Sequence, residues 1–260
     1  MNIIVCIKQV PDTNDVKINP ETNTLIREGV KSVINPFDEN AIEEALRIRE
    51  IHCGKVTVVT MGPPQAQDAL KQAIAMGADD AILLSDRAFA GADTWATSYT
   101  IAKSIKKIKD FDLVLFGKQA IDGDTAQVGP GVAEFLDIPQ ITFAIKIELD
   151  GSTLKVKRQL EESAEVFETK LPAAITVIKQ INEPRIPSLK GQMRAKKAVI
   201  TTWNAADIEA EPEKLGLKGS PTQVVRIFTP PARGKSEILE GEPEVIAQNL
   251  FIKLKEQKVI

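Results

Sequence analysis

From Gly117 to Pro130 the chain reads GKQAIDGDTAQVGP, between the apolar run Asp112-Leu113-Val114-Leu115-Phe116 and the helix-like VAEFLDI. A buried strand, a glycine-containing turn and a helix start, in that order, bring free backbone N–H groups to the carboxyl edge of a parallel sheet, where phosphate groups are commonly held. The chemistry to expect is nucleotide binding. Asp122 and Asp124 would repel phosphate if they faced it, so their carboxylates suit ribose hydroxyls or the first amides of the following helix. Gly123, Thr125, Ala126 and Gln127 are then left to present donors. The GxxxxGK[ST] spacing of a P-loop is absent, and a plain capped turn is compatible with the same residues. Asn35-Pro36-Phe37-Asp38 opens a helix and could offer backbone groups to adenine or ribose, while Met61-Gly62-Pro63-Pro64 ends a strand. Each alone reads equally well as a cap or turn. Together the three segments fall at carboxyl ends of strands, the ligand edge of an α/β sheet.

The elements that must position them alternate. Asn2–Ile7, Lys55–Thr60, Asp80–Ser85 and Asp112–Phe116 are short Val/Ile/Leu-rich runs, and helix-period segments occupy Glu39–Ile51, Pro64–Met76, Asp93–Lys109 and about Asp124–Leu136. That pattern predicts an α/β fold with a mainly parallel, doubly wound (Rossmann-like) sheet covered on both faces. Asp38 reads as an N-cap, Pro63 and Pro64 as a helix start, and Gly77 as a C-cap. After Pro139 an Asp150-Gly151 turn between alternating segments predicts added antiparallel strands. From Asn182 onward Pro184, Pro187, Pro212, Pro221, Pro230 and Pro231 interrupt the chain, and only Pro243–Lys258 reads as helical. The expected organisation is an α/β domain over residues 1–190 and an extended arm over 191–260. Its terminal helix carries Val245, Ile246, Leu250, Phe251 and Leu254, which need a surface to cover.

Composition narrows the chemistry. The 260 residues hold 33 Lys+Arg against 36 Asp+Glu, a net charge of −3, so no general attraction to nucleic acid or anionic membrane follows. The first residues, interrupted by Lys8, are too short for a signal peptide, and no segment approaches the roughly 20 apolar residues of a membrane span. A cytoplasmic protein without membrane insertion is expected. Cys6 and Cys53 form no CxxC pair and read as reduced, structural residues. His52 is the only histidine, which excludes multi-histidine metal sites. Redox or group-transfer chemistry would therefore be carried by a bound cofactor. The basic stretch Lys190–Lys197 follows Asn182-Glu183-Pro184-Arg185 and suits either a solvated loop or a docking surface for acidic partners.

Several blocks resemble the β subunit of electron-transfer flavoprotein: VCIKQVPD, VINPFDENAIEEALRI, AMGADDAILL, LVLFGKQAIDGDTAQVGP and NEPRIPSLKGQMRAKK. The stretch from Val156-Lys157-Arg158 to Leu171-Pro172-Ala173-Ala174-Ile175-Thr176 approximates the family signature and departs from it at Ser163 and Phe167. The resemblance implies a heterodimer with an α subunit that holds an FAD, and an adenine-nucleotide site on this chain. That site would comprise Cys6, Asn35, Pro36, Phe37, Asp38 and Met61 with Gly117, Lys118, Gln119, Ala120, Ile121, Asp122, Gly123, Asp124, Thr125, Ala126, Gln127 and Val128. Leu189 matches the loop by which the family recognises acyl-CoA dehydrogenases or related flavoenzymes, and the arm after about residue 190 would wrap the α subunit.

Housekeeping members hold AMP and typically read DDDxNQTG at the loop, whereas electron-bifurcating members hold a second FAD and oxidise NADH. Here Asp122-Gly123-Asp124-Thr125-Ala126-Gln127 removes a carboxylate and a Cβ where a diphosphate needs room, which favours FAD over AMP. In the bifurcating reading, electrons from NADH divide between ferredoxin or flavodoxin and an acyl-CoA dehydrogenase. Thr94 and Thr97 would then contact the NAD phosphates or riboses, or act only as an N-cap and an ordinary helical threonine. A non-redox scaffold holding structural AMP and a stand-alone nucleotide hydrolase are the competing readings.

Overall fold

The computed structural model describes residues 1–12, 18–19, 24–25, 32–225 and 237–260. The chain-breaking Pro230 and Pro231 lie outside the described residues. Strands β1 (Asn2–Cys6), β2 (Gln9–Pro11), β3 (Ile18–Asn19), β4 (Thr24–Leu25) and β5 (Ser32–Ile34) precede helix α1 (Pro36–His52). Then come β6 (Lys55–Met61), α2 (Gln67–Met76), β7 (Asp80–Leu84), α3 (Thr94–Ile108), β8 (Leu113–Gly117) and α4 (Val128–Leu136). Strands β9 (Gln140–Asp150), β10 (Thr153–Gln159), β11 (Ala164–Lys170) and β12 (Ala173–Val177) follow one another. The chain continues through α5 (Leu189–Lys197), β13 (Thr201–Trp203), α6 (Gly216–Gly219) and α7 (Pro243–Glu256).

One nine-stranded sheet runs in the order β11-β10-β9-β12-β8-β1-β6-β7-β13. Pairing is parallel from β9 to β13, and β10 and β11 are antiparallel additions at one edge. This is the α/β architecture that the alternating runs predict. Because successive side chains of a strand point to opposite faces, β1 divides the core. Ile3 and Val5 pack with Ile42 and Leu46 of α1 and Leu70 of α2, while Ile4 and Cys6 pack with Tyr99 and Ile105 of α3 and Val132 of α4. Burial on both faces explains why β1, β6 and β8 are near-continuous apolar runs, and each fully buried aliphatic contributes about 1.5–3 kcal/mol.

Several local expectations change. Helix α1 begins at Pro36 with Asn35 at the N-cap position, so Asp38 lies inside the first turn and does not cap it. Helix α2 proper starts at Gln67 after a short 3-10 turn over Pro64–Ala66. Helix α4 starts at Val128 and not near Asp124, because Asp124 and Ala126 take left-handed φ values of 53° and 54°. Gly77 ends α2 at φ 138°, a conformation glycine permits. Strand β11, helix α5 and strand β13 were not expected.

The chain forms two compact units, Met1–Val224 and Val225–Ile260. The boundary expected after residue 190 therefore moves, because α5 packs on α2 and β13 extends the sheet beside β7. Gly191 lies so close to α2 that a Cβ there would sit 2.2 Å from the Ala75 carbonyl oxygen, and Arg194 donates to the Ile74 carbonyl at 3.1 Å. In the second unit α7 buries none of its residues, and Val245, Leu250, Phe251 and Ile252 are exposed. Among the described residues no helix is long and apolar enough to cross a membrane.

Candidate functional site

Strands β1 and β8 are neighbours, with Cys6 opposite Phe116, so their carboxyl ends release Lys8 and Gly117 side by side. The first turn of α1 closes over both. Buried Asn35 donates its Nδ2 to the Gln119 carbonyl at 2.8 Å and accepts the Ile121 N–H on Oδ1 at 3.1 Å. Asp38 accepts the Gly117 N–H on Oδ1 at 3.1 Å and the Lys8 N–H on Oδ2 at 2.7 Å. Residue 117 must be small, because a Cβ would lie 2.3 Å from Asp38 Oδ1 and 2.6 Å from the Phe37 carbonyl carbon. The base of the loop is thereby pinned at the start of α1 by three hydrogen bonds, two through Asn35 and one through Asp38, whose other oxygen holds the end of β1 at Lys8.

The tip is different. Gly123, Asp124 and Thr125 are exposed, and the left-handed Asp124 and Ala126 are a conformation that costs a non-glycine residue about 1–2 kcal/mol. Such strain clusters where backbone donors are pre-set for function. Asp122 pairs with Lys8 Nζ at 2.6 Å, and Asp124 accepts from Gln119 Nε2. Neither carboxylate caps α4, whose N-cap position is taken by Gln127 without a side-chain bond.

The structure brings Cys6, Asn35–Asp38 and Gly117–Val128 together at the carboxyl ends of β1 and β8, with Met61 at the end of the adjacent β6. Thr94 is the first residue of α3, and the capping role there belongs to Asp93, whose carboxylate accepts the Ala96 N–H at 3.0 Å. Thr97 donates its N–H to the Asp93 carbonyl as ordinary helix ladder. Ser98 Oγ reaches the Val128 carbonyl at 3.3 Å, so the first turn of α3 lies beside the end of the loop. Leu189 stands apart from this cluster. It opens α5 and is 74% exposed. The sequence reading missed Lys8 as a partner of the loop, although a lysine at the end of an apolar strand was the signal for it.

Burial raises the Cys6 thiol well above its usual range, and the nearby Asp38 charge raises it further, so the cysteine is held as a neutral thiol. Burial likewise pushes the Asp38 carboxyl up to about 7 from 3.8, against the lowering effect of Asn35 and of the Lys8 and Gly117 amides. A carboxyl whose native value is raised favours the folded state fully below its unfolded value, and this contribution is lost as pH rises through about 7. Asp38→Asn should therefore flatten the fall in stability between about pH 4 and 7. It should also cost about 1–3 kcal/mol, since one of the two amides loses its acceptor. Urea melts of wild type and variant at both ends of that window check it; parallel pH profiles would show that Asp38 titrates like an ordinary exposed carboxylate.

Fold and loop together define a doubly wound α/β protein with a pinned loop at the carboxyl edge of its sheet. The model of the electron transfer flavoprotein domain matches residues 22–208. The chain is 55% identical over 261 residues to the electron transfer flavoprotein subunit beta of Thermoanaerobacterium thermosaccharolyticum, covering 100% of both chains. It is 53% identical over the full length of both chains to subunit CarD of the caffeyl-CoA reductase–Etf complex of Acetobacterium woodii. Protein FixA of Azorhizobium caulinodans is 47% identical, with 97% of this chain and 92% of that protein covered. The chain belongs to the electron transfer flavoprotein family, as a β subunit.

Proposed function

We propose that this chain, paired with an α subunit, binds FAD at the Gly117–Val128 loop and passes electrons from NADH by bifurcation. One route leads to ferredoxin or flavodoxin, and the other through the α-subunit FAD to an acyl-CoA dehydrogenase. The observation that carries the choice of FAD over AMP is Gly123. No atom beyond its chain neighbours lies within 4 Å of the position its Cβ would take, and its φ lies outside the left-handed range. Neither packing nor backbone demands glycine at this exposed tip, so room for a diphosphate is the remaining reason for it.

The other residues fit that ligand. Pro130 has no N–H and the Gly131 N–H is taken by the Gln127 carbonyl, so the Val128 and Gly129 amides are the ones at the start of α4 outside its ladder, and they favour an anion. Lys8 compensates the Asp122 charge, which removes much of the repulsion that a carboxylate would exert on a phosphate. Asn35 and Asp38 orient the loop, and the neutral Cys6 lines its floor without redox chemistry of its own. Thr94 and Thr97, near the start of α3 where Ser98 reaches the Val128 carbonyl, are the proposed contacts for NAD. Bound flavin supplies the chemistry that accepts a hydride and releases electrons singly. Leu189 is the proposed docking anchor for the dehydrogenase, and the relative named for a caffeyl-CoA reductase complex supports a partner acting on CoA thioesters. The arm containing α7 is proposed to pack on the α subunit.

Denaturing release from the purified heterodimer tests the cofactor. Two FAD per heterodimer and no AMP are expected, with both flavins reduced on mixing with NADH. One FAD and one AMP would overturn the bifurcating reading and leave the structural-AMP reading in its place.

A further inference from the structure

Residues 182–188 reach α5 as a strap that belongs to no helix or strand, and Pro184 and Pro187 offer no N–H to any ladder. Side chains of α1 hold it instead. Asn182 donates Nδ2 to the Asn40 carbonyl at 3.1 Å and to Glu44 Oε2 at 3.0 Å, and Asn40 Nδ2 donates back to the Asn182 carbonyl at 2.8 Å. Three residues on, the Arg185 guanidinium grips two carboxylates of α1. Its Nε donates to Glu43 Oε2 at 2.7 Å, and its Nη1 and Nη2 donate to the two Glu50 oxygens at 2.5 and 3.2 Å. The Arg185 backbone N–H also donates to Glu43 Oε2, at 3.1 Å.

Glu43 is almost wholly buried, with its side chain 4% exposed, and a buried carboxylate is tolerable only with charged donors of this kind. Arg47 supplies the other, at 2.7 Å. Burial alone would raise the Glu43 carboxyl, but Arg185 and Arg47 hold it below the ordinary range. The far end of α5 is fixed separately, by Arg194 on the Ile74 and Ala78 carbonyls. At the near end Gly191 lies against Ala75 of α2, and the strap fixes the stretch just ahead of it, which ends in the exposed Leu189.

We propose that Arg185, clamped by Glu43 and Glu50, is a positioning residue for partner docking: it fixes the strap so that Leu189 is presented in one place. This rests on Leu189 being the docking anchor. Without the clamp the strap samples other positions, and apparent affinity falls by the fraction still competent to dock.

The test uses the complete heterodimer and steady-state electron transfer with varied acyl-CoA dehydrogenase. If the competent fraction drops to about one fifth, Arg185→Gln raises the apparent KM about fivefold with kcat and nucleotide content unchanged. Glu50→Gln, which leaves the Glu43 contacts in place, raises KM less, and Arg185→Lys restores part of the loss. Leu189→Ala raises KM on its own, and adding Arg185→Gln to it has little further effect, because both act through the same contact. A raised KM in Leu189→Ala with wild-type KM in both Arg185→Gln and Glu50→Gln overturns the clamp while leaving the anchor. Fully multiplicative effects in the double variant overturn it as well. Wild-type KM in Leu189→Ala removes the anchor itself and the clamp's role with it. Should Arg185→Gln not fold, the Glu50→Gln result decides.

Discussion

In the Gly123→Asp heterodimer the nucleotide held by this chain should be released while the α-subunit flavin stays bound. At about 5 Å and an effective dielectric of about 20, a new carboxylate beside one phosphate charge costs about 3 kcal/mol, roughly a hundredfold in affinity. The folded chain itself should be almost unaffected, since the added Cβ meets no atom beyond its chain neighbours within 4 Å at this exposed tip. Gly123→Ala separates the two influences by adding the Cβ without the charge, and should leave the melting temperature within a degree or two of wild type. The readout is nucleotide and flavin content after gel filtration, with a melt of each variant alongside. Wild-type content of both cofactors in Gly123→Asp would mean that the loop tip does not face the phosphates.

Removal of Val225–Ile260 should weaken the heterodimer by at least about a hundredfold while leaving the melt of the remaining chain close to that of the full chain. The residues of the buried core clusters all belong to Met1–Val224, so the truncation removes none of them. Helix α7, by contrast, has Val245, Leu250, Phe251 and Ile252 exposed. Covering four half-exposed side chains contributes about 1 kcal/mol each after side-chain ordering is deducted. Sedimentation or titration of the α subunit with full-length and truncated chains measures this. Unchanged affinity would show that the arm does not serve the partner.

The sheet was legible because a strand buried on both faces has to be apolar throughout, as in Val114-Leu115-Phe116. The loop was legible as a place but not as a mechanism. Asp38 looked like a helix cap because aspartate before a helix usually is one, and its actual partners, Lys8 and Gly117, are separated from it by 30 and 79 residues. Pairings across such distances leave no local pattern. Helix α5 was hidden by its own charge, since Lys190, Arg194, Lys196 and Lys197 outnumber the single buried Ala195. Strand β11 was hidden likewise, because it carries Glu165, Glu168 and Lys170, the last two exposed at the sheet edge, where charge guards against unwanted strand pairing. The clamp at Arg185 was present in the sequence as a charged residue between prolines, and only the facing glutamates of α1 give it meaning.

The glycines of the loop and of α4 have unequal freedom to change. At Gly117, Gly129 and Gly131 an added Cβ would meet Asp38 Oδ1, Thr176 Cγ2 and Ser98 Oγ at 2.3, 2.7 and 2.5 Å, whereas at Gly123 it meets nothing. On the proposed reading, in which the tip selects the ligand, ligand preference is separable from foldability: a lineage, or an engineer, could change residue 123 without first acquiring compensating changes in the scaffold, whereas residues 117, 129 and 131 would need their neighbours to shift.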